Sequence, residues 1–380
     1  MRSETESLIK LIAMYLPQFH PISENDEWWG KGFTEWTNVV KGRPRFRGHY
    51  QPHLPKDLGF YDLRLPETRE AQASLAKKFG IYGFCYYHYW FNGRRILEKP
   101  VDEILESGKP DFPFMLCWAN ENWSRNWDGG FDKVLLAQRY SEDDFINHAR
   151  HLVKYFRDPR YIRIEDKPVF AIYKDDIGID IEPCIKAFRN ELRAHSIDVY
   201  LCRFERRIGT SVNIEKALEI FDAGIEFQPL TRQFSYLTKR RYLKLLRNLT
   251  YRSSSNIFLR KQLDEILNYR EVVENDLNHD FQQGLPIFPG VCPGWDNTSR
   301  RPGSSAIILH QSTPDLFEYW VSEKIKRTNW DLLPGRYLFV NAWNEWAEGN
   351  HLEPCEKWGT GYLAALDKAI NGNQNFKVSR

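Results

Sequence analysis

Cysteine is scarce in this chain: six residues in 380, at positions 85, 117, 184, 202, 292 and 355. None forms a CxxC pair or another zinc spacing. Cys85, Cys117, Cys202 and Cys292 lie within apolar, strand-like runs, where a free thiol behaves as a small hydrophobe. That usage suits a reducing compartment. Net charge is nearly absent at +2, so no global field draws the chain to nucleic acid or to a membrane. Long hydrophobic runs are missing as well. Nothing approaches a membrane span, and the opening MRSETESLIKLIAMYLPQF lacks the unbroken apolar stretch of a signal peptide. No HxH or HExxH pattern offers a metal site, and no GxGxxG follows the first apolar run. The absences point to a soluble cytoplasmic protein without metal, cofactor or nucleic-acid partner.

Aromatic residues are plentiful. Phe, Trp and Tyr make up 15% of the chain, with 13 Trp and 19 Tyr, and 42% is apolar overall. Such numbers suit stacking surfaces for sugars, because a pyranose ring presents an apolar C–H face. They equally suit a large core whose polar tips are satisfied at its edge.

Short apolar runs recur, each followed by a polar, aromatic-rich tail. They fall at 11–19, 81–90, 113–122, 168–174, 198–205, 223–230, 286–295 and 336–346. Helical patterns lie between most of them. PETREAQASLAKKFG opens on Pro and acids and closes on Lys-Lys and Gly, the polarity that helix caps prefer. SEDDFINHARHLVKYF opens on Ser141 with apolar residues at helical spacing, and STPDLFEYWVSEKIK begins similarly. Strands alternating with helices predict a parallel sheet, and eight is the number that closes a (β/α)8 barrel. The expected fold class is therefore α/β, one TIM-type barrel domain over 1–380. Two insertions are expected, one over 20–66 after the first strand and one over 231–283 after the sixth. From Thr231 to Gln262 the second insertion holds nine Lys or Arg and no acid. It reads either as a solvated helical face or as a basic amphipathic segment over 231–262 that touches anionic lipid or a phosphorylated acceptor.

In a barrel of this kind the active site sits at the C-terminal ends of the strands, where Trp, Tyr, Asn, His and Glu accumulate here. The last strand runs into VNAWNEWAEGNHLEP, with two tryptophans and three glutamates. Glycoside chemistry needs a proton donor for the leaving oxygen and a second carboxylate near the anomeric carbon. Glu345 and Glu348 suit those roles. Residues i and i+3 of a strand face opposite ways, so both reach one pocket only if the strand ends between them, and Gly349 supports a turn there. Trp343, Asn344 and Trp346 would frame the pair. At the third strand's end, Asn120 and Glu121 could hold hydroxyls beside the platforms Trp118 and Trp123. Tyr87 and His88 end the second strand, though a lone His is often a satisfied structural residue. Trp28, Trp29 and Glu35 in the first insertion are further candidates. Glu226 after the sixth strand, and Trp295 and Asp296 after the seventh, could orient substrate.

Six stretches in order, YLPQFHPISENDEWWGKGFTEWTNV, YHYWFNGRRILEKPVDEIL, PFMLCWANENWSRNWDG, DKPVFAIYK, FPGVCPGWDNTSRR and VNAWNEWAEGNHLEP, resemble the WbsX family over roughly residues 8–365. That family is described as glycosyltransferase-like or lipopolysaccharide-biosynthesis proteins and is related to glycoside hydrolase family 99. The resemblance implies a (β/α)8 barrel acting on polysaccharide. Family 99 enzymes carry an EWxE motif and retain anomeric configuration. By that resemblance Glu345 would take a proton from the substrate's own 2-hydroxyl, giving a 1,2-anhydro sugar, and Glu348 would be the acid/base. The hydrolases have His before the second Glu, whereas this chain has Ala347, which leaves the sugar open.

Three functions follow as expectations. The leading one is cleavage or transfer of glycosidic bonds in a bacterial surface polysaccharide of O-antigen or capsule type, or in its lipid-linked oligosaccharide precursor. The second is a glycosyltransferase of lipopolysaccharide biosynthesis, although no DxD motif is present. The third is a non-catalytic glycan-binding protein. The basic insertion would place the protein in the cytoplasm, peripheral to the inner membrane.

Overall fold

The computed structural model describes residues 8–124, 134–205, 217, 219–229, 264–278, 285–302 and 305–375. The basic segment over 231–262 lies outside the described residues. Eight strands form one parallel sheet: β1 Lys10–Tyr15, β2 Ile81–Phe91, β3 Phe114–Trp118, β4 Lys167–Ile172, β5 Tyr200–Glu205, β6 Ala223–Glu226, β7 in two pieces, and β8 Tyr337–Val340. All eight overlap the apolar runs read from the sequence, to within a residue at either end. Each strand pairs with the next in chain order, and β8 pairs back on β1 with Lys10 opposite Tyr337.

Closure happens at β7. Its first piece, Ile287–Phe288, pairs with β6, and its second, Gly290–Val291, pairs with β8. Pro289 divides them because proline has no N–H to give a ladder, yet its carbonyl still accepts from Phe339 N at 2.9 Å. Gly290 is required by close approach, since a Cβ there would meet the Glu226 carbonyl oxygen at 2.1 Å.

Helices, α4 (Lys99–Ser107) and α6 (Ile181–Ala194) among them, surround the barrel with the caps the sequence announced. In α3 (Pro66–Lys78), proline opens the first turn and Lys77 and Lys78 close the last, complementing the helix dipole. The Ser141 side chain caps α5 (Glu142–Phe156) by accepting from Asp144 N, and Thr313 caps α8 (Pro314–Arg327) by accepting from Leu316 N.

The first insertion folds into α1 (Ser23–Trp29) and α2 (Glu35–Val39). It is tied down where Glu35 N donates to Gln18 O and Trp36 Nε1 donates to Tyr61 O. The second insertion differs from expectation at its end. Residues Glu265–Asn268 form a strand parallel to Ile307–His310, and α7 (Tyr269–Leu277) follows. The connection between β7 and α8 is therefore long as well, and it carries functional groups described below.

The bland reading of the aromatics holds for part of them. Trp118, Trp320, Trp343 and Trp346 are among the largest fully buried side chains. Each removes enough apolar surface from water to favour folding by roughly 4–6 kcal/mol before entropy. All six cysteines are free and buried.

Candidate active site

β8 ends at Val340, and the chain then turns into a small hairpin. Asn344 pairs with His351 and Glu345 with Asn350, around a 3-10 turn over Trp346–Glu348. Gly349 closes the turn at φ 56, the left-handed region that glycine adopts without strain. A Cβ there would also press on Asp296 Cβ at 3.0 Å. This short hairpin sets both Glu345 and Glu348 toward one cavity.

Their meeting point is Arg300, on the turn after Trp295 and Asp296. Its Nη2 donates to Glu345 at 2.9 Å, Nη1 to Glu348 at 2.7 Å and Nε to Glu35 at 2.7 Å. Three carboxylates thus share one guanidinium, whose five donors suit such a fork. Arg300 and Glu345 side chains are each 7% exposed, Glu35 is 2% and Glu348 16%. The charge balance is unfavourable to full ionisation. Burial, aided by the charges of Glu348 and Glu35, pushes the Glu345 carboxyl up to about 8 against the pull of Arg300. Burial and Glu35 raise Glu348, while Arg300 and Arg301 pull it down. Burial works against the charge of Arg300, but Glu35, Glu348 and Glu345 outweigh it and hold the guanidinium firmly protonated.

The cavity over this cluster has a volume of about 280 Å³. Tyr87 and Tyr89 from β2, Trp123, Tyr173, Phe227 and Trp295 wall it, with Glu121 and Arg301 also on its lining. It lies where the C-terminal ends of the barrel strands converge.

Of the residues singled out from sequence, Tyr87, Glu121, Trp123, Trp295, Glu345 and Glu348 line this cavity, and Glu35 reaches it through Arg300. Trp29 stands one layer back, stacked on Phe33 and 6.5 Å edge-on from Trp123, with Trp28 edge-on to Trp29 at 5.6 Å. The others are placed elsewhere. His88 alternates away from Tyr87 and Tyr89 along β2. Its Nε2 lies 2.9 Å from His148 Nε2, under α5. Trp118 packs at the same interface, against Phe145 and His148, and donates to Trp90 O. The Asn120 side chain is spent on the Lys174 backbone, with contacts of 2.7 and 2.8 Å.

Glu226 turns out of the barrel to Lys324 of α8 at 2.6 Å and to Gly290 N at 3.0 Å, and Asp276 bonds the same lysine at 2.9 Å. Asp296 accepts from His49 and Gln51 at 2.6 and 2.8 Å and faces a neighbouring cavity. Trp343, Asn344 and Trp346 form the hairpin's frame. Trp343 N donates to Met14 O, and Asn344 grips the Leu16 backbone from both sides. Trp346 stacks on His351 at 3.7 Å and donates to Glu353. Glu353 also accepts from Gln72 and Tyr61, and burial pushes its carboxyl up to about 7.

Arg300, Arg301, Tyr89, Tyr173 and Phe227 were not read from sequence. The excess of carboxylates was itself the missed signal, since buried acids this close need a cation. No group of potential metal ligands occurs among the described residues.

The fold and the converging acids define the class: a (β/α)8 protein with a carboxylate cavity at the barrel's C-terminal face. Solved structures share the barrel. The GH99 endo-alpha-mannosidase from Bacteroides thetaiotaomicron aligns with a TM-score of 0.56 at 15% identity, covering 97% of this chain and 98% of its own. A glycoside hydrolase-like protein aligns equally well, at 14% identity over 95% and 94% of the two chains. At such identities the likeness is one of fold.

The chain belongs to the glycosyltransferase WbsX family, whose model matches residues 11–366. The uncharacterized protein WxcX of two Xanthomonas campestris pv. campestris strains is 39% identical over 365 residues, covering 95% of this chain and 49% of theirs. The chain thus spans about half the length of the curated relatives it matches. No helix among the described residues is long and apolar enough to cross a membrane.

Proposed function

We propose that this chain cleaves or transfers glycosidic bonds in a bacterial surface polysaccharide, with Glu345 and Glu348 as its acid–base pair. One observation carries the reading: two buried carboxylates at a barrel's C-terminal face share Arg300 beneath an aromatic-walled cavity. Neither an exposed loop nor a simple ion pair needs three acids on one guanidinium. The pair is electrostatically coupled, so its proton belongs to both groups. Glu345 is pushed up to about 8 and Glu348 is raised as well, so the pair holds a proton near neutral pH. Glu348, the more exposed of the two, is raised by burial and by Glu35 and drawn back in part by Arg300 and Arg301. The two carboxyls divide the roles of proton donor to the leaving oxygen and partner base, with Glu348 as the acid/base and Glu345 as the 2-hydroxyl base in the order that the resemblance implies. The walls contributed by Tyr87, Tyr89 and Trp295 keep the donor dry, which is what holds a carboxylic acid protonated near neutral pH.

The family's name favours a second reading, a glycosyltransferase, in which the cavity takes a nucleotide sugar. Glu348→Gln separates the two. We expect it to lose nearly all turnover on glycan while still binding free oligosaccharides from a panel of bacterial surface polysaccharides. Wild-type turnover in this variant sinks the acid–base assignment. Saturable binding of a nucleotide sugar, with no response to free oligosaccharide, makes the chain a transferase. A lipid-linked glycan and an anionic membrane surface are proposed partners on the strength of 231–262, with nine Lys or Arg and no acid.

A further inference from the structure

Arg300 can hold three carboxylates in one geometry only if its own backbone is held. It sits in a tight turn, in which Arg301 N donates to Thr298 O at 3.1 Å. The turn belongs to the long connection after β7, where no strand or helix lies among the described residues between Val291 and Ile307. Side chains of other segments therefore set its shape.

The first insertion supplies most of them. Arg45 Nη2 donates to Arg301 O and, at 3.4 Å, to Thr298 O, the two carbonyls that bracket Arg300. Gln51 Oε1 accepts from Ser299 Oγ at 3.0 Å, and Gln51 Nε2 donates to Asp296, whose other oxygen accepts from Thr298 N at 3.0 Å. Gly42 leaves room for this contact, since a Cβ there would meet Gln51 Oε1 at 2.5 Å and Ser299 Oγ at 2.6 Å. Arg45 is itself fixed from a third direction. Its Nη1 donates to Asp264 Oδ1 at 2.5 Å, and the same oxygen accepts from Ala306 N at 2.9 Å. Both side chains of the pair are buried. Asp264 directly precedes the strand Glu265–Asn268, so one ion pair joins the first insertion, the end of the second and the turn that carries Arg300. A guanidinium makes these contacts together because its donors form a planar fork, whereas an ammonium is a point charge.

We infer that Arg45 and Asp264 are positioning residues for Arg300: the pair holds the turn so that one guanidinium reaches Glu35, Glu345 and Glu348 at once. Neither side chain lines the cavity over the acids, so their effect passes through Arg300. The consequence for catalysis rests on the glycan reading of that cavity, and the positioning itself does not. The groups facing Glu345 are Arg300, Glu348, Glu35 and the hydroxyls of Tyr87 and Tyr89. Of these only Arg300 is positive, so slackening its grip raises the Glu345 carboxyl further.

The test follows the stability gain from Glu345→Gln by urea unfolding at half-unit pH steps, with the rest of the chain unchanged and in two variant backgrounds. With the rest unchanged, the gain levels off where the carboxyl ionises, at about 8. In an Asp264→Asn background it should level off about one pH unit higher, because an opposite charge as close as Arg300 lowers a carboxyl pKa by about 1–3. The direction is diagnostic. Acting through space alone, loss of the Asp264 charge eases ionisation and moves the levelling pH down, and a contact that only stabilises the fold leaves it in place. Arg45→Lys keeps the positive charge and loses the fork, so it should also move the levelling pH up, and it keeps the test decisive if Asp264→Asn does not fold. An unchanged or lowered levelling pH in either folded variant overturns the positioning role. On a glycan that the wild type turns over, from the same polysaccharide panel, the alkaline limb of kcat/KM should move up in the same variants. A raised levelling pH with no turnover of any glycan by the wild type overturns the glycan reading and upholds the positioning role.

Discussion

Glu345→Gln removes one proton-binding group from the cluster while nearly preserving its shape and its acceptor for Arg300. The wild-type carboxyl is pushed from 4.5 to about 8 on folding. A tenfold change in proton affinity is worth about 1.4 kcal/mol, so ionising this buried group costs the folded state up to about 5 kcal/mol. Coupling to Glu348 spreads that cost over the pair, which brings the expected effect to about 2–5 kcal/mol. The sign follows from proton counts. Between pH 4.5 and 8 the unfolded chain has released this proton and the folded one still holds it, so wild-type stability falls as pH rises through that window. Glutamine has nothing to release. Urea unfolding at half-unit pH steps should show variant and wild type nearly equal at pH 4.5. The variant should then gain steadily to a plateau of about 2–5 kcal/mol above pH 8. A difference that does not change with pH refutes the strained, proton-sharing cluster.

Glu35→Gln removes one of the charges that raise Glu345 and Glu348, so ionisation of the pair becomes easier. The alkaline limb of the pH dependence of kcat/KM should move to lower pH, and no shift would show that Glu35 does not act through Arg300. Lys324→Met leaves Glu226 and Asp276 buried without their cation, and breaking such a pair costs about 3–5 kcal/mol. Urea midpoints at pH 7 should fall accordingly while glycan binding by the folded fraction is unchanged. A variant of normal stability and impaired binding would return Glu226 to the substrate.

The barrel was legible because its signals are local. Each apolar run, each cap such as Ser141 or Thr313 and each Pro–Gly break is written within about fifteen residues. The site was legible only in part. Glu345 and Glu348 stand out by density of acids and tryptophans, but Trp343 and Trp346, expected to frame the pair at the substrate, are buried framework of the hairpin. His88 and Tyr87 are neighbours in sequence, and alternation along β2 sends one under α5 and the other into the cavity. Asn120 and Glu226 have the right chemistry at strand ends, yet each satisfies a buried partner that sequence does not name.

The sequence by itself determined the strand positions, the helix ends and the stock of acids at the barrel's last turn, because those depend on contacts within a few residues. Tertiary structure decided which acids work together. Arg300 joins Glu35 across 265 residues and Glu345 across 45. Burial of that junction, not composition, raises the Glu345 and Glu348 carboxyls together.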